Sequence, residues 1–251
     1  MKNYFWVGLT GLVAIGAIPG NASTGTFTFT SANNTGNSYG DVLNFTPTIT
    51  GGTFSGLTNV AVTAYSTNAI STTTNVYTAA VDEYSGNGLG VCGTLEGTGC
   101  GNPQHQVDNT GGGYEFVLFK FSTPVNLSSV TLLDYQGTDM DMSYWSGNTA
   151  PPNNLTNVND TQFLSNFGAQ ANDACAGNCG SGDTITDTLA GNNVTYLLIA
   201  AAYNSGNNND TFKIQNVTVN SLTATPEPGT FGLIGIALAG IGLIARNRKQ
   251  N

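Results

Sequence analysis

One histidine and a scattered set of acidic and amide side chains are the residues of this chain best suited to hold a metal ion. They are His105, Asp108, Asn109, Asp139, Asp141 and Asp210. Calcium takes oxygen ligands from carboxylates and carbonyls, in sets of about six to eight. These residues therefore predict a calcium site. The alternative is that the Asp and Asn side chains make turns and that His105 ties down a loop.

Two adjacent aromatic residues, Tyr144 and Trp145, end a predicted strand just before the turn Ser146-Gly147-Asn148. An aromatic ring offers a flat apolar face with a polar edge, which suits stacking against a sugar. The pair predicts a glycan-stacking site. The alternative interpretation makes Trp145 a residue of the core or its rim.

Catalytic chemistry has little support in the sequence. With a single histidine, a Ser-His-Asp or Cys-His scheme would have to use His105, and no Gly-x-Ser-x-Gly elbow is present. Glu96 and Glu115 could pair as glycosidase carboxylates, but nothing in the sequence sets their separation. We expect no catalytic residues and no enzymatic activity.

The four cysteines fall into two close pairs, Cys92 with Cys100 and Cys175 with Cys179. In an exported protein such pairs form disulfides that staple loops, and we predict these two pairings out of the three connectivities that four cysteines allow. A zinc site with four thiolates is the alternative. The seven residues between Cys92 and Cys100 miss the usual zinc spacing, and an oxidising compartment disfavours free thiolates.

Alternating apolar residues bounded by Gly, Asn and Pro predict an all-β domain over residues 23–224, a single jelly-roll-like β-sandwich. The predicted strands are 26–30, 60–65, 76–81, 114–121, 125–134, 140–145, 194–203 and 212–222. Residues 196–201 are apolar on both faces, which is typical of a central strand. One short helix is predicted near 159–170, behind a cap at Asn159 with Gln162 three residues later.

The charge of this domain limits its partners. Residues 23–224 carry two lysines, Lys120 and Lys213, against 14 Asp and Glu residues, which gives a net charge of −12. Such a surface repels nucleic acid and anionic lipid and favours cations or neutral polymers such as glycans. We therefore expect no nucleic-acid partner.

The N-terminus has the pattern of a secretory signal peptide. Lys2 precedes an apolar run over residues 4–18, and Gly20-Asn21-Ala22 offers small residues to a signal peptidase. We predict a signal peptide over residues 1–22, cleaved after Ala22.

The C-terminal tail, residues 225–251, has three parts in a fixed order. They are Pro226-Glu227-Pro228, an apolar segment of 15 residues at 231–245, and a basic cluster of Arg246, Arg248 and Lys249. The apolar segment would make about 22 Å of helix against a hydrocarbon thickness of roughly 30 Å. It predicts a short transmembrane helix that serves as a transient sorting signal, with the basic cluster on the cytoplasmic side.

The three parts of this tail together resemble a PEP-CTERM sorting signal, the substrate of bacterial exosortases. The resemblance implies that an exosortase recognises the tail in the inner membrane and cuts near the motif. It further implies a Gram-negative host that makes exopolysaccharide, and a final place at the cell surface, outer envelope or extracellular matrix. The resemblance indicates where the protein is sorted and implies no molecular activity.

The domain also resembles a subfamily of exosortase-dependent surface proteins, over residues 86–147. The blocks that carry the resemblance are Leu89-Gly90-Val91-Cys92, His105-Gln106-Val107-Asp108-Asn109 and Asp139-Met140-Asp141. This likeness supports the class of protein and leaves the chemistry open.

These patterns together predict an exported protein with a structural or adhesive role associated with exopolysaccharide, as in a biofilm matrix. A calcium-dependent carbohydrate-binding module is the alternative function, and a secreted glycan-active enzyme is a third. Exosortase and signal peptidase are the expected processing partners. Membrane contact is expected only through the tail.

Overall fold

Strands make up nearly all the regular structure of the chain. In the computed structural model the described residues are 22–31, 38–69, 73–96, 105–110, 112–135, 139–173, 182–203, 209–222 and Leu238. The elements among them are β1 Thr24–Thr28, β2 Leu43–Phe45, β3 Thr48–Thr50, β4 Val60–Thr67, β5 Val76–Tyr84, β6 Gly88–Cys92, β7 Val107–Asp108, β8 Glu115–Leu133, β9 Met142–Gly147, α1 Asp160–Leu164, β10 Ala171–Asp173, β11 Thr184–Thr188, β12 Val194–Ala201 and β13 Thr211–Asn220. All of them lie in one compact unit, Ala22–Leu222.

Two long strands pass from one layer of the fold to the other. The first half of β8 pairs with β4 and β12, and its second half pairs with β11 and β13. The first half of β5 pairs with β4, and its second half pairs with β6. We call the layer β10-β9-β12-β8-β4 the front sheet and the layer β11-β8-β13-β1-β3 the back sheet. Short strands β2 and β7 pair with β4 and β13.

Pro124 lies where β8 changes its partners. Proline has no backbone N–H, so it is tolerated in a strand only where no ladder hydrogen bond is needed. In sequence a proline indicates a break, and the pattern accordingly predicts two strands, 114–121 and 125–134. The structure joins them into one strand of 19 residues.

The front and back sheets pack face to face. The rings of Phe27 and Phe29, from β1 and the residue that follows its end, lie 5.9 and 5.6 Å from those of Phe121 and Phe119 on β8. Successive strand residues point to opposite faces, and β4 accordingly alternates buried with half-buried positions. The all-β prediction is confirmed. The jelly-roll-like connectivity stays a prediction.

A second, smaller core covers the outer face of the front sheet. Phe116, Trp145 and Leu198 pack there with Phe163 and Phe167. Because β12 lies between β8 and β9 and is covered on both faces, its residues 196–201 are apolar throughout. The prediction of a central strand at 196–201 is thus confirmed.

The helix α1 begins at the capping box that the sequence predicts. Asn159 Oδ1 accepts a hydrogen bond from Gln162 N at 2.8 Å, and Asn159 N donates to Gln162 Oε1 at 3.1 Å. The helix is shorter than the predicted 159–170. Asn166 Nδ2 donates to the carbonyls of Gln162 and Phe163, which satisfies the last turn.

Six short strands, β2, β3, β6, β7, β10 and β11, are not predicted by the sequence pattern. Most are edge strands of two to five residues, too short for alternation to show. The strand β6 contains Gly88 and Gly90, which in sequence indicate a turn.

Several predictions fall outside the described residues: the signal peptide except Ala22, the cysteines Cys100, Cys175 and Cys179, and the sorting tail except Leu238. Within the described ranges, no helix has the length and apolarity needed to cross a membrane.

Candidate functional site

Three of the predicted calcium ligands come together at one end of the sandwich. One carboxylate oxygen from each of Asp139, Asp141 and Asp210 lies within 4.8 Å of the other two. Main-chain hydrogen bonds hold the segments that carry them: Thr211 N donates to Asp139 O, and Ala202 N donates to Asp141 O, both at 2.9 Å. The start of β13 and the end of β12 thus fix the loop before β9.

Asn109 holds Asp210 in place. Its Nδ2 donates to Asp210 Oδ2 at 2.7 Å and to the carbonyl of Ala202 at 3.1 Å. In return Asp210 N donates to Asn109 Oδ1 at 3.0 Å. Both residues are 0% exposed. The amide is therefore a positioning group for the carboxylate rather than a member of the acidic group itself.

The carboxylate of Asp210 is buried and incompletely hydrogen-bonded. Its Oδ1 is buried without a hydrogen-bond partner. Burial raises the pKa of Asp210 to about 6. The hydrogen bonds from the Asn109 side chain and the Asp141 backbone oppose this rise, and the charges of Asp139 and Asp141 add to it. A cation between the three carboxylates would supply the missing partner and cancel the repulsion. Hard oxygen donors of this kind suit calcium.

His105 faces other partners. Its Nδ1 lies 3.1 Å from Glu96 Oε1, and its carbonyl accepts from Lys213 Nζ. That carbonyl also lies against Gly90, where any Cβ would overlap it. The structure thus gives His105 the role of a loop tie, the alternative interpretation of this residue, and does not bring it to the three carboxylates.

Asp108 also faces away from the group. Its N–H donates to Glu115 Oε2 at 3.2 Å, and its own Oδ1 accepts from Thr110 N at 3.0 Å. Neighbouring residues of an extended chain point to opposite sides, so Asp108 and Asn109 cannot serve the same site. The prediction of a six-residue ligand set is therefore wrong for His105 and Asp108.

A second acidic group surrounds Glu115, which is only 5% exposed. Burial raises its pKa well above 4.5, with the charges of Asp108 and Glu96 and a hydrogen bond with Glu96 adding to the effect. Glu96 Oε2 in turn accepts from Gly93 N at 2.8 Å. Glu96 and Glu115 are thus in direct contact, whereas the two carboxyls of a retaining glycosidase stand about 5 Å apart.

Lys213 is a buried charged side chain that the sequence analysis does not place at any site. It is 0% exposed, and its Nζ lies 3.7 Å from the centre of the Tyr84 ring. Burial lowers the pKa of Lys213 to about 7, against the opposing charges of Asp82, Glu115 and Glu96. The signal in sequence is its place inside the apolar strand Thr211-Phe212-Lys213-Ile214.

Tyr144 and Trp145 are core residues, 6% and 3% exposed. The Trp145 ring lies 5.6 Å from that of Tyr203, and Tyr144 Oη accepts from Ala190 N at 2.9 Å. Neither ring can stack on a sugar, so the predicted glycan-stacking site is wrong. The alternative interpretation of Trp145 as a core residue agrees with its burial.

Cys92 is disulfide-bonded, which removes its thiolate as a metal ligand beside Glu96 and His105. The other three cysteines lie outside the described residues, so the two pairings stay predictions.

The comparison with known families identifies the tail. The PEP-CTERM protein-sorting motif matches residues 224–249, which include Pro226, Glu227, Pro228 and the basic cluster at 246–249. No curated protein matches the chain. The match covers the tail alone and implies processing by an exosortase. The chain is therefore an exported protein that carries a PEP-CTERM protein-sorting motif and is sorted to the cell envelope or surface.

Proposed function

We propose that this chain is a non-catalytic surface or matrix protein of a Gram-negative bacterium, with a structural or adhesive role in contact with exopolysaccharide. Calcium bound by Asp139, Asp141 and Asp210 fixes the loops at one end of its sandwich. Two observations carry the calcium part: Oδ1 of Asp210 is buried without a hydrogen-bond partner, and the Asp210 carboxylate has an oxygen within 4.8 Å of those of Asp139 and Asp141.

The absence of catalysis is part of this proposal. The acidic group around Glu115 borders a cavity of only about 20 Å³, which is too small for a substrate. The carboxylates there are hydrogen-bonded to each other and to backbone N–H groups, as in a structural network. A secreted glycan-active enzyme would need a cleft at such a pair.

Calcium binding is tested on the processed protein purified from the cells that export it. Isothermal titration with calcium chloride is expected to give one site in the wild type and none in Asp139→Asn or Asp210→Asn. The matched control is Asp41→Asn, which removes a loop carboxylate whose Oδ2 accepts a hydrogen bond from Ser38 N at 3.0 Å. Equal heats in all four proteins would refute the calcium site.

The matrix role is tested separately. We expect the processed protein at the cell surface or in the extracellular polymer, and saturable binding to the host's own exopolysaccharide. Binding that calcium supports and a chelator removes would favour the calcium-dependent carbohydrate-binding module. Failure to bind, together with retention of the chain in the cytoplasmic fraction, would overturn the matrix role.

A further inference from the structure

An open groove of about 780 Å³ runs along the edge of the front sheet. One wall is formed by the start of β5 and by Tyr65 of β4, and the other by the segment 151–157. The lining residues are Tyr39, Tyr65, Asn75, Val76, Tyr77, Thr78, Thr94, Pro151, Pro152, Asn153, Asn154, Leu155, Thr156 and Asn157.

Three tyrosines give this groove its aromatic surface. Tyr39 is 41% exposed and Tyr77 is 37% exposed, so both rings meet solvent. Tyr65 is half-buried, and its ring lies 4.8 Å from that of Phe163 beneath it. Elsewhere among the described residues the large aromatic rings are mostly buried. The flat C–H face of a pyranose ring packs well on such exposed rings.

The polar part of the lining is made of amides and hydroxyls. Asn75, Asn153, Asn154 and Asn157 are all exposed, and Thr78 and Thr156 add hydroxyl groups. Each amide can both donate and accept, which matches the hydroxyl groups of a sugar. No charged side chain is among the described residues that line this groove. The chemistry therefore suits a neutral, hydroxyl-rich ligand.

The groove is formed before any ligand arrives. Pro151 and Pro152 restrict the backbone at the start of the wall segment. Val76 N donates to Val158 O at 2.9 Å, and Thr156 N donates to Asn154 Oδ1 at 2.9 Å. The capping box at Asn159 then starts the helix that supports Tyr65. Such preorganisation lowers the entropy cost of binding.

A second cavity of about 280 Å³ continues the groove. It shares Tyr65, Pro151 and Asn153 with the first and leads toward Tyr196, and Lys120 is the one charged side chain among its described lining residues. Two adjoining cavities with common lining residues form an elongated site. This shape fits several successive units of a chain better than a single small molecule.

We propose that this groove binds a neutral polysaccharide strand, with Tyr39 and Tyr77 as stacking rings and the asparagines of 153–157 as hydrogen-bonding partners. The proposal rests on the proposed role in contact with exopolysaccharide and names the class of polymer and the surface that holds it. The net charge of −12 over residues 23–224 disfavours a strongly anionic polymer.

The test is affinity electrophoresis of the processed protein in gels that contain dextran, laminarin or galactomannan, with alginate as the anionic comparison. Tyr39→Ala and Tyr77→Ala are expected to weaken binding to the preferred neutral polymer about tenfold or more, and Tyr77→Phe to retain it. Leu95→Ala is the matched control, because Leu95 is 52% exposed and lies outside the groove. Thermal melts verify that each variant is folded.

Loss of binding in the two alanine variants alone, with EDTA present, would support the groove. Three results would overturn it: no neutral polymer binds, alginate alone binds, or both alanine variants bind like the wild type. If those variants still bind the host exopolysaccharide as well as the wild type, the groove fails while the matrix role stands. Absence of a surface-located processed form would instead remove the matrix role.

Discussion

The side chain of Asn109 and the residue Asp210 are joined by two hydrogen bonds of opposite direction. Asn109 Nδ2 donates to Asp210 Oδ2 at 2.7 Å, and Asp210 N donates to Asn109 Oδ1 at 3.0 Å. The two residues are 101 positions apart in sequence. This pairing fixes Oδ2, while Oδ1 is buried without a hydrogen-bond partner, in a carboxylate that forms a group with Asp139 and Asp141.

The first prediction concerns Asp210→Asn, which removes a buried negative charge and keeps the side-chain shape. In EDTA we expect the free energy of unfolding to rise by about 1–3 kcal/mol, because the buried charge without a partner is costly. With calcium we expect the wild type to gain stability and the variant to gain none. Urea unfolding with and without calcium measures both effects.

Asp41→Asn is the control for this experiment. It should change neither the free energy of unfolding in EDTA nor the stability gained with calcium. A variant that calcium still stabilises as much as the wild type would contradict the assignment of Asp210 as a ligand.

The second prediction concerns pH. The pKa of Glu115 is raised well above 4.5 by burial, and burial also raises the pKa of Asp187 to about 6. The folded state therefore holds protons that the unfolded state has already lost, so stability falls as pH rises from about 4 toward 7. We expect the melting temperature without calcium to fall by several degrees over this range.

Glu115→Gln keeps the hydrogen bonds and removes the titration. Its melting temperature should change less steeply with pH, and it should exceed that of the wild type at neutral pH. A slope equal to that of the wild type would show that Glu115 is ionised in the folded state.

The third prediction concerns Gly90, where an added Cβ would overlap the carbonyl of His105 and lie 2.9 Å from the Tyr84 ring. We expect Gly90→Ala to cost about 1–3 kcal/mol or more, because neither the loop nor the strand can move freely. In the control Gly147→Ala the nearest atoms lie at 3.4 Å, so its cost should be smaller. Urea unfolding of both variants measures the difference, and equal costs would argue against a fixed His105 loop.

The fourth prediction concerns the cap of α1. Asn159→Ala should lower the free energy of unfolding by about 1 kcal/mol, which corresponds to roughly 2–4 °C in a domain of this size. Asn159→Ser keeps an accepting oxygen at the cap and should restore most of the loss. Thermal unfolding followed by circular dichroism measures the melting temperature of each variant. Equal decreases in Asn159→Ala and Asn159→Ser would exclude a capping effect.

The fifth prediction concerns the sorting motif. Replacement of Pro226, Glu227 and Pro228 by alanine should leave the exported chain uncut, because the motif for processing lies at 224–249. Intact-mass measurement of the membrane fraction is expected to find the tail still attached. Thr225→Ala, which lies just before the Pro-Glu-Pro triplet, should be processed normally. Cleavage of the triple variant would show that processing does not need the triplet.

Local signals in the sequence predict the strands with clear alternation and the capping box. They do not predict strand continuity or side-chain orientation where these depend on residues distant in sequence. Pro124 indicates the end of a strand in the sequence, yet it lies inside β8, because that strand changes its pairing partners there. Asp139, Asp141 and Asp210 are brought together as predicted, but His105 and Asp108 are not, since their orientation depends on Lys213 and Glu115.

The burial of Tyr144 and Trp145 could not be read from their position near a turn. Both lie on a strand whose two faces are covered, one by the back sheet and the other by Phe163 and Phe167. Tyr39 lies in a loop without periodicity, and Tyr77 lies in a predicted strand whose pattern does not show that this side is open to solvent.

The pairing of the first strand with the last has a consequence for the timing of export. Thr24 Oγ1 donates to Asn220 Oδ1 across 196 positions of sequence. The ladder between β1 and β13 can therefore close only after nearly the whole domain has crossed the membrane. The sorting motif begins at residue 224, directly behind β13. Completion of the fold and arrival of the motif at the membrane thus fall at the same stage of translocation.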